Sequence, residues 1–396
     1  MARRSLVLVV AGLFAAAGCL GTSPPPPPRP TQLCDLGFNA ASDYQAAFFY
    51  LGHADTGWIT ADGFVPPVQS DGKATLPDGR VVWWMSDTMT GTVDGGNSVP
   101  NPVNVHDSTV DQGGGCLTPH LAVIPYSASV WYWPGSAVVA GNTLTVFSYK
   151  VVPAIGPPGF DWRVVGTSVT RFSLPSLELL SGPADMPTNQ DPNGGGPVPW
   201  GIRSFFNAAD GKLYLYGTTK HSIGPFGVAA DAWLARASVD NPQALEYFTN
   251  PFLPTDPPAW SSSFAAANPM TFTKIAPGDD SAPPAQLSVV PYGNGYLAGA
   301  FAADLFKDVN GRSFVRAWTS DSPQGPWQMV MDGMNPQTVA TFQARTSEQI
   351  AYDARVARLP GAGWTVVYSV NDPINQNQDF TLYRGQFAAP NGLPPP

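Results

Sequence analysis

The chain has 396 residues, 12% of them charged, with 40 glycines, 43 prolines and a formal net charge of −9. An acidic chain with no basic cluster lacks the electrostatic footprint of a nucleic-acid binder, and so much glycine and proline excludes an architecture of long helices. Many aromatics among turn formers point instead to short strands, an all-β protein.

Arg3 and Arg4 precede an apolar run from Leu6 to Ala17, too short to span a membrane but the right length for the core of an export signal. Ala16-Ala17-Gly18-Cys19 then sets small residues before a cysteine, which resembles a bacterial lipoprotein processing site with Cys19 as the lipidated residue. The leucine usual in that motif is missing, so ordinary signal cleavage and secretion is the alternative. The expected boundaries are a leader over 1–19, a Pro-rich linker over 20–33, a folded domain over 34–390 and a Pro-rich tail over 391–396. Prolines 24–28 make the linker a stiff, extended spacer that cannot form a core. A lipid tether followed by a spacer implies display at the cell surface or in the periplasm, touching the membrane only through its anchor; a monomer is expected.

Two cysteines remain after processing, Cys34 and Cys116, and are expected to form a disulfide in an oxidising compartment. Neither a Cys-x-x-Cys pair nor zinc spacing among His53, His106, His120 and His221 is present, so no metal or cofactor is expected. The glutamates are Glu178, Glu246 and Glu348 alone. A site built on carboxylates must therefore use mainly aspartate.

The stretch from Gly57 to Thr88 holds a tight turn, Pro77-Asp78-Gly79, flanked by β-branched and aromatic runs. Folding back at that turn lays the run ending at Asp87 antiparallel to the run beginning at Asp62 and brings both carboxylates to the open end of one hairpin. Strands lie about 4.8 Å apart, so the two carboxylates fall within the roughly 5–10 Å used by paired acids in glycoside hydrolysis. The plainer reading of each is a turn or capping acid.

Similar hairpins follow around Gly141-Asn142, Asp210-Gly211, Gly293-Asn294 and Gly361-Ala362, at intervals of roughly 70 residues. Further strands are expected over 168–174, 232–239, 314–320 and 326–330. Five such units without a useful helical period predict a five-bladed β-propeller, with a β-sandwich as the alternative. The Pro/Gly-rich stretches 181–198 and 250–284 read as loops over a rim. Ring closure is expected from a strand at Gln45 to Leu51 and another at Phe380 to Ala388. The innermost strands would begin on one face, bringing Asp62, Trp133, Trp200, Ser288, Tyr352 and Asp353 together around the channel. Aromatics beside acids suit a sugar ring, although either tryptophan would serve equally as packing between blades.

The segments TADG (60–63), LPDGRVVWWMSDT (76–88), WYWPG (131–135), WGIR (200–203), LYLYGT (213–218), SPQGPW (322–327), YSVN (368–371) and LYR (382–384) resemble a secreted family of five-bladed propellers of largely unknown function. That family is similar to furanosidase-type glycoside hydrolases and includes endo-D-arabinanases. The resemblance runs in order over nearly the whole mature chain. It implies that Asp62, in a T-x-D motif, and Asp87, in the counterpart of a G-D-T motif, are the working carboxylates. It also marks an extra turn at Ser70 to Thr75, Ser86 in place of glycine, Tyr352 to Val356 without a His-Pro, and Leu382 to Gln386 without a second arginine.

Hydrolysis of a polysaccharide or oligosaccharide by two aspartates is therefore the expected activity. Asp87, following the apolar Trp83-Trp84, is read as the acid and Asp62 as nucleophile or base. Trp133, Trp200, His221, Tyr352, Asp353 and Asn371 are the candidate substrate-binding residues, with Glu348 a further acid to consider. For Asp353 the alternative is an ion pair with Arg355 or Arg358; for His221, an exposed loop position. Asp279-Asp280 and Asp308 to Gly311 lack the spacing of a full calcium loop. The rival readings are a carbohydrate-binding propeller without chemistry and a structural envelope protein. A Ser/His/Asp hydrolase is disfavoured because the chain has no Gly-x-Ser-x-Gly elbow.

Overall fold

The computed structural model describes residues 32–390, apart from 55, 157–160, 223–227, 250–256, 271, 273–286, 302–314, 335–349, 373–375 and 377, together with residue 393. The protein is a five-bladed β-propeller. Blade 1 consists of Trp58–Ala61, Val81–Met85, Thr88–Thr90, Val103–Val105, Ser108–Gly113 and Cys116–Leu121. Blade 2 runs outward through Trp131–Ala140, Thr143–Pro153, Trp162–Ser173 and Leu179–Asp185. Its inner edge also takes Pro67–Val68 in parallel. Blade 3 holds Arg203–Asn207, Lys212–Ser222, Val228–Ser238, Glu246–Phe248 and Trp260–Ser261. Ser288–Tyr292, Gly295–Phe301, Val315–Ser320 and Gln328–Met334 form blade 4, and Ile350–Leu359, Gly363–Asn371 and Arg384–Ala388 form blade 5.

All five turns of the sequence reading fall where the chain reverses. Gly141-Asn142, Asp210-Gly211, Gly293-Asn294 and Gly361-Ala362 each join antiparallel neighbours. Leu76 N donates to Arg80 O across Asp78-Gly79 at 2.7 Å. The inner strands gather around a shared channel, because Val68, Ala137, Arg203, Val289 and Val356, one from each blade's inner edge or its continuation, line a single cavity.

The expected closing strand at Gln45 to Leu51 is instead part of a helix, α1, Ala41–His53. Its buried residues Tyr44, Ala47, Phe48 and Leu51 recur at three- and four-residue spacing, which makes one apolar stripe. That stripe packs on the core of blades 1 and 5: the Phe48 ring lies 5.7 Å from Trp83, 5.6 Å from Phe387 and 4.9 Å from Phe64. Gln45 meanwhile satisfies the strand edge of blade 5, donating through Nε2 to Gly385 O and accepting from Phe387 N. A side-chain amide on a helix thus covers backbone groups that an added strand would have paired. Phe380, expected to open the other closing strand, starts a short 3₁₀ turn, Phe380–Leu382, ahead of Arg384–Ala388.

The stretch 181–198 is not wholly loop, since its first five residues belong to the outer strand of blade 2. Within 250–284, Trp260–Ser261 is an edge strand and Phe264–Ala266 a 3₁₀ turn; the rest is largely outside the described residues. Cys34 and Cys116 are joined by a disulfide. It ties the segment before α1 to the outer strand of blade 1, where Leu33 also pairs with Leu117. The leader, Cys19 and most of the linker lie outside the described residues.

Candidate active site

The open end of the first hairpin is a break in two strands. Met85 pairs with Ser108 and Thr88 with Val105, so the same register continues across the break. Asp87 consequently lies opposite His106, and Ser86 opposite Asp107. On the other side, Asp62 N donates to Asp87 O (3.2 Å) and Ser86 N donates to Asp62 O (3.0 Å). Two residues of one strand thus face one of the other, as in a β-bulge. Gly63 allows this close approach: its φ is +64°, and a Cβ there would lie 2.5 Å from Ser86 Oγ. The extra turn at Ser70 to Thr75 loops toward blade 5, with Ala74 N donating to Arg358 O. It leaves Asp62 and Asp87 side by side.

Asp87 sits at the mouth, its side chain 36% exposed. Its Oδ1 takes a hydrogen bond from Trp133 Nε1 (2.8 Å) and lies 3.0 Å from His106 Nδ1. Trp131 stacks on the His106 imidazole at 4.4 Å and 14°, fixing the ring's plane. Trp133 in turn meets Trp162 edge-on at 4.6 Å. These two half-buried indoles make an aromatic wall beside the acid.

Asp62 is deeper. The Tyr352 hydroxyl donates to its Oδ2 at 2.5 Å, while its Oδ1 is buried. The Tyr383 hydroxyl, also against this carboxyl, donates to Asp87 O at 2.6 Å. Burial, reinforced by the negative charge of Asp87, pushes the Asp62 carboxyl up to about 8; the Tyr352 hydrogen bond acts in the opposite direction. The surroundings of Asp62 thus favour its protonated form. Burial likewise holds the Tyr352 and Tyr383 hydroxyls well above the ordinary tyrosine range, so both remain donors.

The predicted residues divide. Asp62, Asp87, Trp133 and Tyr352 come together. Trp200 does not: it is fully buried, donates through Nε1 to Asn189 Oδ1 at 2.8 Å and packs on Tyr247 and Phe264. It precedes the inner strand of blade 3 by a turn, and its indole fills the space between strands instead of reaching the rim. Asp353 is also buried, ion-paired with Arg203 and with Arg355. Burial alone would raise its carboxyl, but those two guanidiniums hold it below the usual carboxylate range. The ion-pair reading of Asp353 is therefore the correct one. Ser288 lines the channel cavity, not the mouth.

Asn371 ends its strand opposite Ile350, with a buried Oδ1 that has no partner. His221 is in the strand Lys212–Ser222, opposite Ala229, and its side chain lies outside the described residues. Glu348, Asp279, Asp280 and Asp308 to Gly311 are also outside them. Among the described residues no group of histidine, cysteine and acidic side chains could hold a metal.

Sequence reasoning missed His106, Trp131, Trp162 and Tyr383. The signal for His106 was available, because extending the hairpin register one strand further puts it across from Asp87. Asp107 next to it is structural: its Oδ1 accepts from Val123 N and Ile124 N, and burial pushes its carboxyl up to about 6.

A family profile described as a domain of unknown function, DUF5005, matches residues 47–391. The chain belongs to the DUF5005 family. No curated protein matches it. The DUF5005 fold is similar to that of a presumed hydrolase from Bacteroides ovatus, at 17% identity over 87% of each chain with a TM-score of 0.58. It is also similar to a GH43_1 enzyme from Xanthomonas citri (14% identity, 84% of this chain and 90% of that one, TM-score 0.45). An α-L-arabinofuranosidase from Clostridium thermocellum matches at 12% identity, over 78% and 81% of the two chains, with a TM-score of 0.45. At these identities the likeness is one of fold.

Proposed function

We propose that this DUF5005 protein is a glycoside hydrolase that cleaves an envelope or environmental polysaccharide, with arabinan and other furanosides the first class to test. The observation that carries the reading is the pair at the strand break: two aspartates, neighbours across one bulge, in unlike surroundings. Asp62 is kept protonated and can supply the proton that the leaving oxygen needs. Asp87 is open to solvent, accepts N–H hydrogen bonds and can act as nucleophile, or as base toward water. The roles are thus the reverse of those read from sequence. Trp133 and Trp162 offer apolar faces for the C–H surface of a sugar, and the Trp133 indole N–H fixes the Asp87 carboxylate.

The compartment fits this substrate. A lipid on Cys19 and the Pro-rich spacer would hold the propeller at the cell surface, facing polysaccharide. Loss of membrane association in Cys19→Ser tests that part.

One observation favours a second reading, a binding propeller without chemistry: Asp62 Oδ1 is closed off from solvent, as a purely structural acid would be. Incubating the mature protein with arabinan, galactan and other envelope glycans, and measuring released reducing ends, separates the two. Hydrolysis lost in both Asp62→Asn and Asp87→Asn is the expected result. Binding of the same glycans with no release by the unmodified protein would establish the second reading.

A further inference from the structure

We propose that the central channel binds a monovalent anion of halide size, held between Arg203 and Arg355 beside the hydroxyl of Ser288; the Ser136 and Ser204 hydroxyls, spent on Gly201 O and on each other, only line the wall. All five residues line one cavity of about 30 Å³, room for a few waters or a single halide.

Arg203 and Arg355 are 5% and 6% exposed. Both donate to Gly135 O and both pair with the one carboxylate of Asp353. Two buried cations therefore share one buried anion. Arg355 responds to this imbalance: burial, and then the charge of Arg203, pulls its guanidinium down to about 10. A guanidinium left short of counter-charge away from water is costly.

Hydrogen bonding points to the same place. Arg203 Nε and Arg355 Nε are both buried and both lack an acceptor. Buried N–H groups on charged side chains are rarely left unmade. An anion in the cavity that both arginines line would accept from both and supply the missing charge. Water would satisfy the hydrogen bonds but not the charge. Neither Asp62 nor Asp87 lines the cavity, so the proposal does not depend on the protein being a hydrolase.

The test uses the mature protein. Crystals grown in sodium bromide should show an anomalous bromine peak in the channel between the two Nε atoms. In solution, bromide or chloride should raise Tm in a saturable way relative to acetate at equal ionic strength, by roughly 2 °C at about tenfold excess over Kd. Ser288→Val, which removes a hydroxyl and adds a methyl to the cavity wall, should still fold and lose most of that rise. A channel holding only water in bromide crystals would overturn the proposal. So would a peak with no saturable Tm rise, which would mark an adventitious ion only, or a rise unchanged in Ser288→Val.

Discussion

Replacing Asp62 by asparagine separates the charge of this residue from its shape. Burial and the charge of Asp87 push its carboxyl from the ordinary 3.8 up to about 8 in the folded chain. Between those values the folded protein binds the extra proton, so this group makes stability fall as pH rises through the window, and the loss is complete above about 8. Each tenfold step is worth about 1.4 kcal/mol, which sets a ceiling of roughly 6 kcal/mol. Because Asp62 is coupled to Asp87 and only partly shielded from water, on the order of 2–3 kcal/mol is the expected effect. Asparagine carries no such penalty. The variant should match the parent near pH 4, where the aspartate is neutral too, and exceed it increasingly up to pH 8.5. Thermal melts of the two proteins at matched ionic strength measure this, and other titrating groups cancel in the difference. If the gap in Tm stays constant from pH 4 to 8.5, Asp62 is ionised throughout and the acid role fails.

Asp87→Asn should abolish turnover, a loss of at least about 10³-fold in kcat, while Tm moves little because the side chain is partly exposed and asparagine keeps its shape. Trp162→Ala should raise KM for an oligosaccharide about tenfold with kcat nearly unchanged, as removal of a stacking face does; an equal fall in kcat and kcat/KM would mean that the ring acts on the chemistry. Cys34→Ser opens a loop of 82 residues and should cost about 2–4 kcal/mol, read as a lower denaturant midpoint than the oxidised parent.

Much of the propeller was legible because a Gly-containing turn between apolar runs has one local outcome. The five turns carry their own chemistry, and each reversed the chain where expected. The helix α1 was not read, because Phe48-Phe49-Tyr50 looks like strand by composition. The contrary signals were present: apolar residues at 44, 47, 48 and 51, and Asp43, whose Oδ2 accepts from Asn39 N and Ala40 N at the helix start. Trp200 and Asp353 were misplaced for a different reason. Sequence places a residue near the start of an inner strand but not on one of its faces, and a one-residue step turns a rim position into a core or channel position.

The exchange of roles in the proposed mechanism shows where local reading ends. Trp83 and Trp84 precede Asp87 in sequence, yet both are fully buried, whereas Asp87 lies beyond the strand break and opens to solvent. The dry surroundings belong to Asp62, and they come from blade 5 through Tyr352 and Tyr383. Closing the ring is therefore what favours the protonated form of this carboxyl. A further consequence follows for Tyr352→Phe. The hydroxyl donates to Asp62 Oδ2 and so favours the charged form, opposing the effect of burial. Removing it should raise the Asp62 pKa further, and the alkaline limb of kcat/KM should move to higher pH. A limb that moves to lower pH would mean that Tyr352 raises this pKa, and that the shielding of Asp62 has another source.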